Sequence, residues 1–141
     1  MPNIDIHSAA AQKYLEFLQA VINRMAANSS GCKTWCISLV SAIIVIIADK
    51  AKPDYVWIAI IPMALFLFLD AYYLGLERGF RDLYNTFISK LHAKNATDTD
   101  VYTLTPNNDL CSTISACMSL SIWPFYGLLA AMLIITRLWI L

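Results

Sequence analysis

Three apolar runs, each free or nearly free of charge, constrain this chain more than any other feature. WCISLVSAIIVIIA covers 35–48, and YVWIAIIPMALFLFL covers 55–69 and resumes as AYYLGL after Asp70. MSLSIWPFYGLLAAMLIIT covers 118–136. A helix needs about 20 apolar residues to cross about 30 Å of hydrocarbon. The second and third runs meet that length. The first meets it only if its helix starts near Gly31 and the Lys33 ammonium snorkels towards water on its aliphatic stem. A soluble bundle would have to hide three such helices on every side, and 141 residues leave too little surface for that.

Composition agrees: 59% of residues are apolar and 14% charged, against about 45–50% and about 25% in soluble domains. The length allows one compact unit. Ten basic and ten acidic residues cancel, so no global field recruits nucleic acid or an acidic substrate. About 30 residues unlike a signal peptide precede the first run, which therefore reads as an uncleaved anchor.

The expected fold class is all-α, a polytopic membrane protein with three transmembrane helices and an N-terminal amphipathic helix. Residues 6–29 form that helix: Tyr14, Leu18, Val21, Ile22 and Met25 recur at helical spacing, with Gln12, Lys13, Glu16, Gln19 and Asn23 elsewhere. It either lies on the lipid surface or packs on the extension of span two, and its few basic residues favour packing. Span one is 33–49, span two 55–76, and spans one and two make a hairpin about the turn DKAKPD (49–54), with Asp54 as a helix cap. Helical pattern continues through 77–94 as a cytoplasmic extension. The connector 95–110 holds VYTLT, a candidate short strand pairing with a copy in a neighbouring subunit. Span three is 117–137, with Arg137 and Trp139 at its far end. Pro62 and Pro124 are candidate kinks.

Seven basic residues (Lys13, Arg24, Lys33, Arg78, Arg81, Lys90 and Lys94) flank one side of the proposed membrane, against Lys50 and Lys52 in the tight turn. That bias predicts a cytoplasmic N-terminus, with the C-terminus on the far side. The triplets beginning at Asn28 and Asn95 are then cytoplasmic and carry no glycosylation meaning.

Nothing in the sequence specifies a reaction. Cys32/Cys36 and Cys111/Cys117 are not C-x-x-C pairs, and His7 and His92 are the only histidines. No phosphate loop, nucleophile elbow or histidine-centred acid/base pair is present. We therefore expect no enzyme activity, no cofactor and no metal site.

The most informative stretch is FLDAYYLGLERGFRDLYN (68–85). An ionisable residue inside an apolar run is a functional candidate because burying it there costs several kcal/mol, on the order of 3 by insertion scales. Asp70 lies about 10 Å along the axis from Glu77, near the cytoplasmic interface. It reads either as a structural partner of Lys33 or Arg24, or as a gating or pore-lining residue. Asp70, Glu77 and Arg81 share a helix face; Arg78 and Asp82 are a second i,i+4 pair. Ala71, Gly75 and Gly79 form a stripe that admits a close neighbour, with Ser38 and Ala42 of span one as a counterpart. Asp70, Gly75, Glu77, Arg78, Gly79, Arg81 and Asp82 are the predicted assembly interface, pairing subunits around a ring. The lead-in CSTISACMSLS (111–121) offers Ser112, Ser115 and Ser119 as candidate pore-lining hydroxyls, or as groups satisfied by backbone.

Three pieces together carry a family resemblance: VINRMAANS (21–29) followed by Lys33 and Trp35, LDAYYLGLERGFRDLY (69–84), and SIWPFYGLL (121–129). They resemble the RipA-like octameric membrane proteins of the bacterial inner membrane, and the layout is also similar to the two-helix membrane module called SLATT. The resemblance implies a homo-oligomer, with eight subunits as the family's number, and a pore-forming effector as one role. Thr34 departs from the family pattern, which has glycine between the lysine and the tryptophan. The expected partners are the lipid bilayer, further copies of the chain, and a cytoplasmic protein reached through 76–109. The alternative to a pore is a non-conducting scaffold that uses that segment.

Overall fold

The computed structural model describes residues 8–50, 53–97, 99–106 and 115–140. Cys111, Ser112, the turn residues Ala51 and Lys52, and the start of the expected 6–29 helix lie outside them, as do the side chains of Asp54 and Trp139. Among the described residues every regular element is helical, so the all-α class holds.

The first element departs from expectation. Helix α1 runs unbroken over Ala9–Lys50, 42 residues and about 63 Å at the α-helical rise. The expected N-terminal helix and span one are one rod. Its buried residues, Ala11, Tyr14, Leu18, Val21, Met25, Ser29, Cys32, Cys36, Val40 and Ile47, recur every three or four positions, with half-buried Ile43 completing the line. The mean interval is about 3.6, the repeat of a straight helix. That stripe crosses Ser29-Ser30-Gly31 without interruption, and Gly31 stays in helical conformation. Glycine there costs about 1 kcal/mol relative to alanine, less than the packing on either side supplies.

A 3-10 helix over Pro53–Ala59 leads into α2, Ile60–His92. Pro62 falls in the first turn of α2, where its missing N–H has no helical acceptor to lose, so it starts the helix rather than kinking it. The two rods are antiparallel along their whole length. At one end Ile47 packs with Val56 and Ala59. At the other, Tyr14 meets Phe87 edge-to-face with ring centroids 4.8 Å apart, beside Leu18 and Leu91. Full burial of side chains of this size contributes about 1.5–3 kcal/mol each. The face of residues 9–29 that would otherwise have met lipid is thus covered by α2.

α2 ends in a complete Schellman motif. Asn95 N–H donates to the Lys90 carbonyl at 3.0 Å and Lys94 N–H to the Leu91 carbonyl at 3.1 Å. Lys94 takes the left-handed position that glycine usually fills, with φ 55°. The connector then folds back over the tip of the rods. Tyr14 Oη donates to the Thr103 carbonyl at 2.5 Å, and burial pushes its hydroxyl pKa up, aided by the nearby Asp100 charge. The expected VYTLT strand is absent among the described residues: 101–102 form a turn and 103–105 are irregular. Val101 packs instead with Ala96 in the Tyr14–Phe87 cluster, and Asp100 ties the loop down. Its carboxylate accepts from Lys90 Nζ at 2.6 Å and from the Thr97 amide at 3.0 Å.

The third apolar run is helical later than expected. Residues 115–117 make one helical turn, 118–122 are turns held by Ser119, and α3 spans Trp123–Ile135. Ser119 accepts backbone bonds from Ile122 and Trp123, and Pro124 sits in the first turn of α3. Ser119 Oγ accepts from the Ser121 amide at 3.3 Å, and this serine turn with proline at the start favours an N-terminus here over a longer helix with a kink. Wider π-helical turns continue the chain over Thr136–Ile140. α3 packs Tyr126, Leu129 and Leu133 against the α1–α2 pair. Arg137 lies over the Trp57 ring, 4.9 Å from its centroid, so α3 runs antiparallel to α2.

Two outcomes follow for the tip. Lys94→Gly removes a left-handed lysine that costs about 1 kcal/mol, so it should raise the thermal midpoint by a few degrees, about 2–4 °C for a chain of this size; a lowered midpoint contradicts the cap. Lys90 and the Thr97 amide hold the Asp100 carboxyl down at about 2, against about 3.9 in an unfolded chain. A depressed folded pKa gives stability that is present above the unfolded value and lost as pH falls from about 4 to about 2. Protection of the Thr97 amide from hydrogen exchange should follow that window, and Asp100→Asn should abolish the dependence.

Candidate functional site

Asp70 is the most deeply buried charged residue described, with no exposed surface. It sits on α2 because the apolar run on either side forces that turn against α1. Opposite it, α1 presents Ser29 and Lys33, one turn apart. Lys33 Nζ lies 2.9 Å from Asp70 Oδ1 and 2.7 Å from Oδ2, so the ammonium straddles the carboxylate. Ser29 Oγ donates to the same Oδ1, and Lys33 Nζ also reaches Ser29 Oγ at 3.4 Å. Cys32 and Cys36 are buried on the same side of α1. From α3, Tyr126 brings a buried hydroxyl beside Asp70 that falls short of hydrogen-bond geometry. Three helices therefore converge on one carboxylate, and Lys33 is the only one of its partners that reaches water, with its side chain 20% exposed.

Of the two partners the sequence offers for Asp70, Lys33 makes the pair. The carboxylate is wholly buried within the chain. Ala71, Gly75 and Gly79 are also buried within the protomer, and Ala71 packs in one cluster with Cys36 and Val40 of α1. Ser38 and Ala42, the expected counterparts, are exposed on the opposite side of α1.

The charged cluster beyond Asp70 divides. Glu77 is buried and pairs with Arg81 at 2.7 Å along the helix, while Arg81 stays 61% exposed at its side chain. Asp82 is exposed. Arg78 does not pair with Asp82; its Nη2 donates to Ser119 Oγ at 2.9 Å. That bond ties the lead-in of α3 to α2 and takes Ser119 out of the set of free hydroxyls. Ser115 is exposed. Among the described residues no group of three or more histidine, cysteine or acidic side chains is placed to hold a metal, and Cys32, Cys36 and Cys117 are free thiols.

The Asp70 level also gathers aromatic residues. Trp35 follows Lys33 by two positions, Tyr72 follows Asp70 by two, and Trp123 lies one turn before Tyr126; all three are exposed. Tyr55 and Trp57 are exposed at the other end. The axial distance from Tyr72 to Tyr55 is about 26 Å. Between these levels Val45, Ile46, Ile61, Leu65 and Phe68 all point outward.

Sequence reading overlooked a further pattern on α1. Ser30, Thr34, Ser38 and Ala42 repeat every fourth residue and are all exposed. Thr34 Oγ1 donates to the Ser30 carbonyl at 3.2 Å and Ser38 Oγ to the Thr34 carbonyl at 2.9 Å, so these hydroxyls are satisfied within the helix. The period of four was the available signal; pairing Ser38 and Ala42 with the wrong helix obscured it.

The fold and site define an all-helical protein with two helices, Ala9–Asp49 and Tyr55–His92, long and apolar enough to cross a membrane. No protein-family model, curated protein or solved structure matches the chain.

Removing one member of the buried pair strands the other, which costs about 3–5 kcal/mol. Asp70→Ala and Lys33→Met should each lower the unfolding midpoint strongly. The double variant Lys33→Met with Asp70→Leu should recover much of that loss, because no charge is left unpaired and only the Ser29 hydroxyl loses its acceptor. Tyr126→Phe deletes an unsatisfied hydroxyl and should be neutral or mildly stabilising. Additive losses in the double variant would contradict the pairing.

Proposed function

We propose that the chain is a three-span protein of the bacterial inner membrane that assembles into a ring and alters the permeability of the bilayer. The observation that carries this reading is the outward apolar band. Only 22% of the most apolar window of each long helix is buried inside the protomer, whereas a core helix of a soluble protein buries most of its surface. Exposed aromatic residues bound the band at both ends, as they do at lipid–water interfaces. α3 supplies the third span, shorter than the others. The excess of basic residues on the side of residues 9–33 and 78–94 sets that side in the cytoplasm.

Assembly runs through α1. The outward stripe of Ser30, Thr34, Ser38 and Ala42 is the small-residue surface that helices use to approach one another in lipid, and the Thr34 and Ser38 hydroxyls already donate within the helix. Arg81 and Asp82 remain outward on the cytoplasmic side for contacts between subunits. With Asp70 closed within each protomer, the permeation path runs between subunits, where Ser115 and the rest of the serine-rich lead-in contribute hydroxyls. Eight subunits is the number that the family resemblance implies.

A second reading has its own support. The ends of α1 and α2 beyond the aromatic level carry a separate apolar core, Tyr14, Leu18, Phe87 and Leu91, and a loop tied down at Asp100. A stalk this well braced suits a scaffold that presents 76–109 to a cytoplasmic protein.

Mass measurement in lipid nanodiscs, combined with ion flux in liposomes, separates the readings. The wild type should run as a multi-subunit ring and pass ions. Thr34→Leu with Ser38→Leu should reduce the mass to one or two subunits and abolish flux by tenfold or more. A monomeric wild type contradicts the assembly, and an intact ring in tight liposomes favours the scaffold.

A further inference from the structure

A cleft of about 280 Å³ opens between α2 and α3 on the outer, apolar side of the protomer. Met63 and Leu67 of α2 line one wall; Trp123, Tyr126 and Ala130 of α3 line the other, and Met118 closes one end. At the Met118 end the chain passes directly to Ser119, which Arg78 holds at 2.9 Å. Leu67 and Arg78 are eleven residues apart, about three turns, so they lie on one face of α2 about 16 Å from each other. The apolar wall and the guanidinium are parts of one continuous surface.

Among the described residues Arg78 is a cation without an anion. Its one hydrogen-bond partner among the described residues is the neutral Ser119 hydroxyl, and none of the ion pairs includes it. The neighbouring acid Glu77 is engaged by Arg81, and Asp82 turns away to solvent. The guanidinium keeps donors available for a planar or tetrahedral oxyanion. Ser121, exposed two residues on, adds a hydroxyl at the same lip. Along the axis Arg78 lies about 9 Å past Tyr72 towards the stalk. On the membrane reading proposed above, on which this inference rests, that is the depth of the headgroup layer.

We propose that this surface is a binding site for an anionic phospholipid. One acyl chain fills the cleft between α2 and α3, and the phosphate receives hydrogen bonds from Arg78 with Ser119 and Ser121 alongside. The apolar walls select a chain, the unpaired guanidinium selects negative charge, and the site binds a phosphatidylglycerol-type lipid in preference to a zwitterionic one. An occupied cleft fastens α3 to α2 along a stretch where the protein alone leaves a gap. The lipid is therefore a structural part of the three-helix unit.

Trp123 in the wall provides the readout. The full chain is reconstituted into phosphatidylcholine vesicles containing a small fraction of bromine-labelled lipid, either phosphatidylglycerol or phosphatidylcholine, and the Trp123 signal is taken as the difference between wild type and Trp123→Phe. Brominated phosphatidylglycerol should quench Trp123 several-fold more than brominated phosphatidylcholine at equal fraction. Arg78→Gln should erase that preference, with Arg78→Lys retaining part of it and Ser119→Ala most of it. Helical content measured by circular dichroism confirms that each variant is folded. Equal quenching by the two lipids in the wild type overturns the site, as does a preference that survives Arg78→Gln or is abolished by added inorganic phosphate. Flotation of the vesicles is scored separately: protein that stays behind refutes the membrane reading itself, whereas protein that floats without lipid preference refutes the site alone.

Discussion

The contact between Lys33 and Asp70 fixes the rest of the structure. Two apolar helices can slide past each other at little cost, since one leucine is much like the next. A buried carboxylate has no such freedom: it must meet its cation, and a one-residue slip moves that cation by about 1.5 Å along the axis and about 100° around it. Ser29 and Lys33, one turn apart on α1, converge on Asp70 from the same side. The pair therefore sets the register of α1 against α2, the service for which buried polar contacts are best attested. Everything apolar above and below falls into place from that register, from Ile47 against Val56 at one end to Tyr14 against Phe87 at the other.

The position of the pair matters as much as its strength. It lies where the outward surface changes character, with Trp35, Tyr72 and Trp123 around it. On one side the helices turn apolar residues outward and share only small residues and a few aliphatics between them. On the other they bury tyrosine, phenylalanine and leucine against each other and expose lysine, glutamate and asparagine. One pair of rods thus carries two kinds of surface. Lys33 suits the boundary, because its stem is apolar and its head reaches water while holding the acid.

Much of this was legible in the sequence. The apolar runs, the hairpin, the extension of the second helix well past the charge cluster, and Lys33 as a partner for Asp70 all follow from residue spacing. Three features did not. The continuity of α1 was hidden by Ser29-Ser30-Gly31, which reads as a break until the buried stripe is seen to pass through it at constant interval. The late start of α3 depends on a turn in which Ser119 Oγ accepts from the Ser121 amide and on Pro124 in the first helical turn, local preferences that an apolar run conceals. The facing of the small residues could not be assigned from spacing alone, since α1 and α2 each carry such a stripe and only packing reveals which one is internal. Gly75 and Gly79 are buried within the chain, whereas Ser30, Thr34, Ser38 and Ala42 stay exposed.

On the membrane reading proposed above, Lys33 and Asp70 hold one helix pair in register at the lipid–water boundary. Nitroxide depth profiling along both helices, in a cysteine-free background reconstituted in lipid, tests it most directly. Labels at 45, 61 and 65 should favour oxygen over a water-soluble relaxant. Labels at 17 and 82 should show the reverse, with the crossover near residue 33 on α1 and near residue 70 on α2, the two positions that face each other. Water-like accessibility at 45 and 61, or crossovers displaced from each other by more than about one turn, would contradict the account.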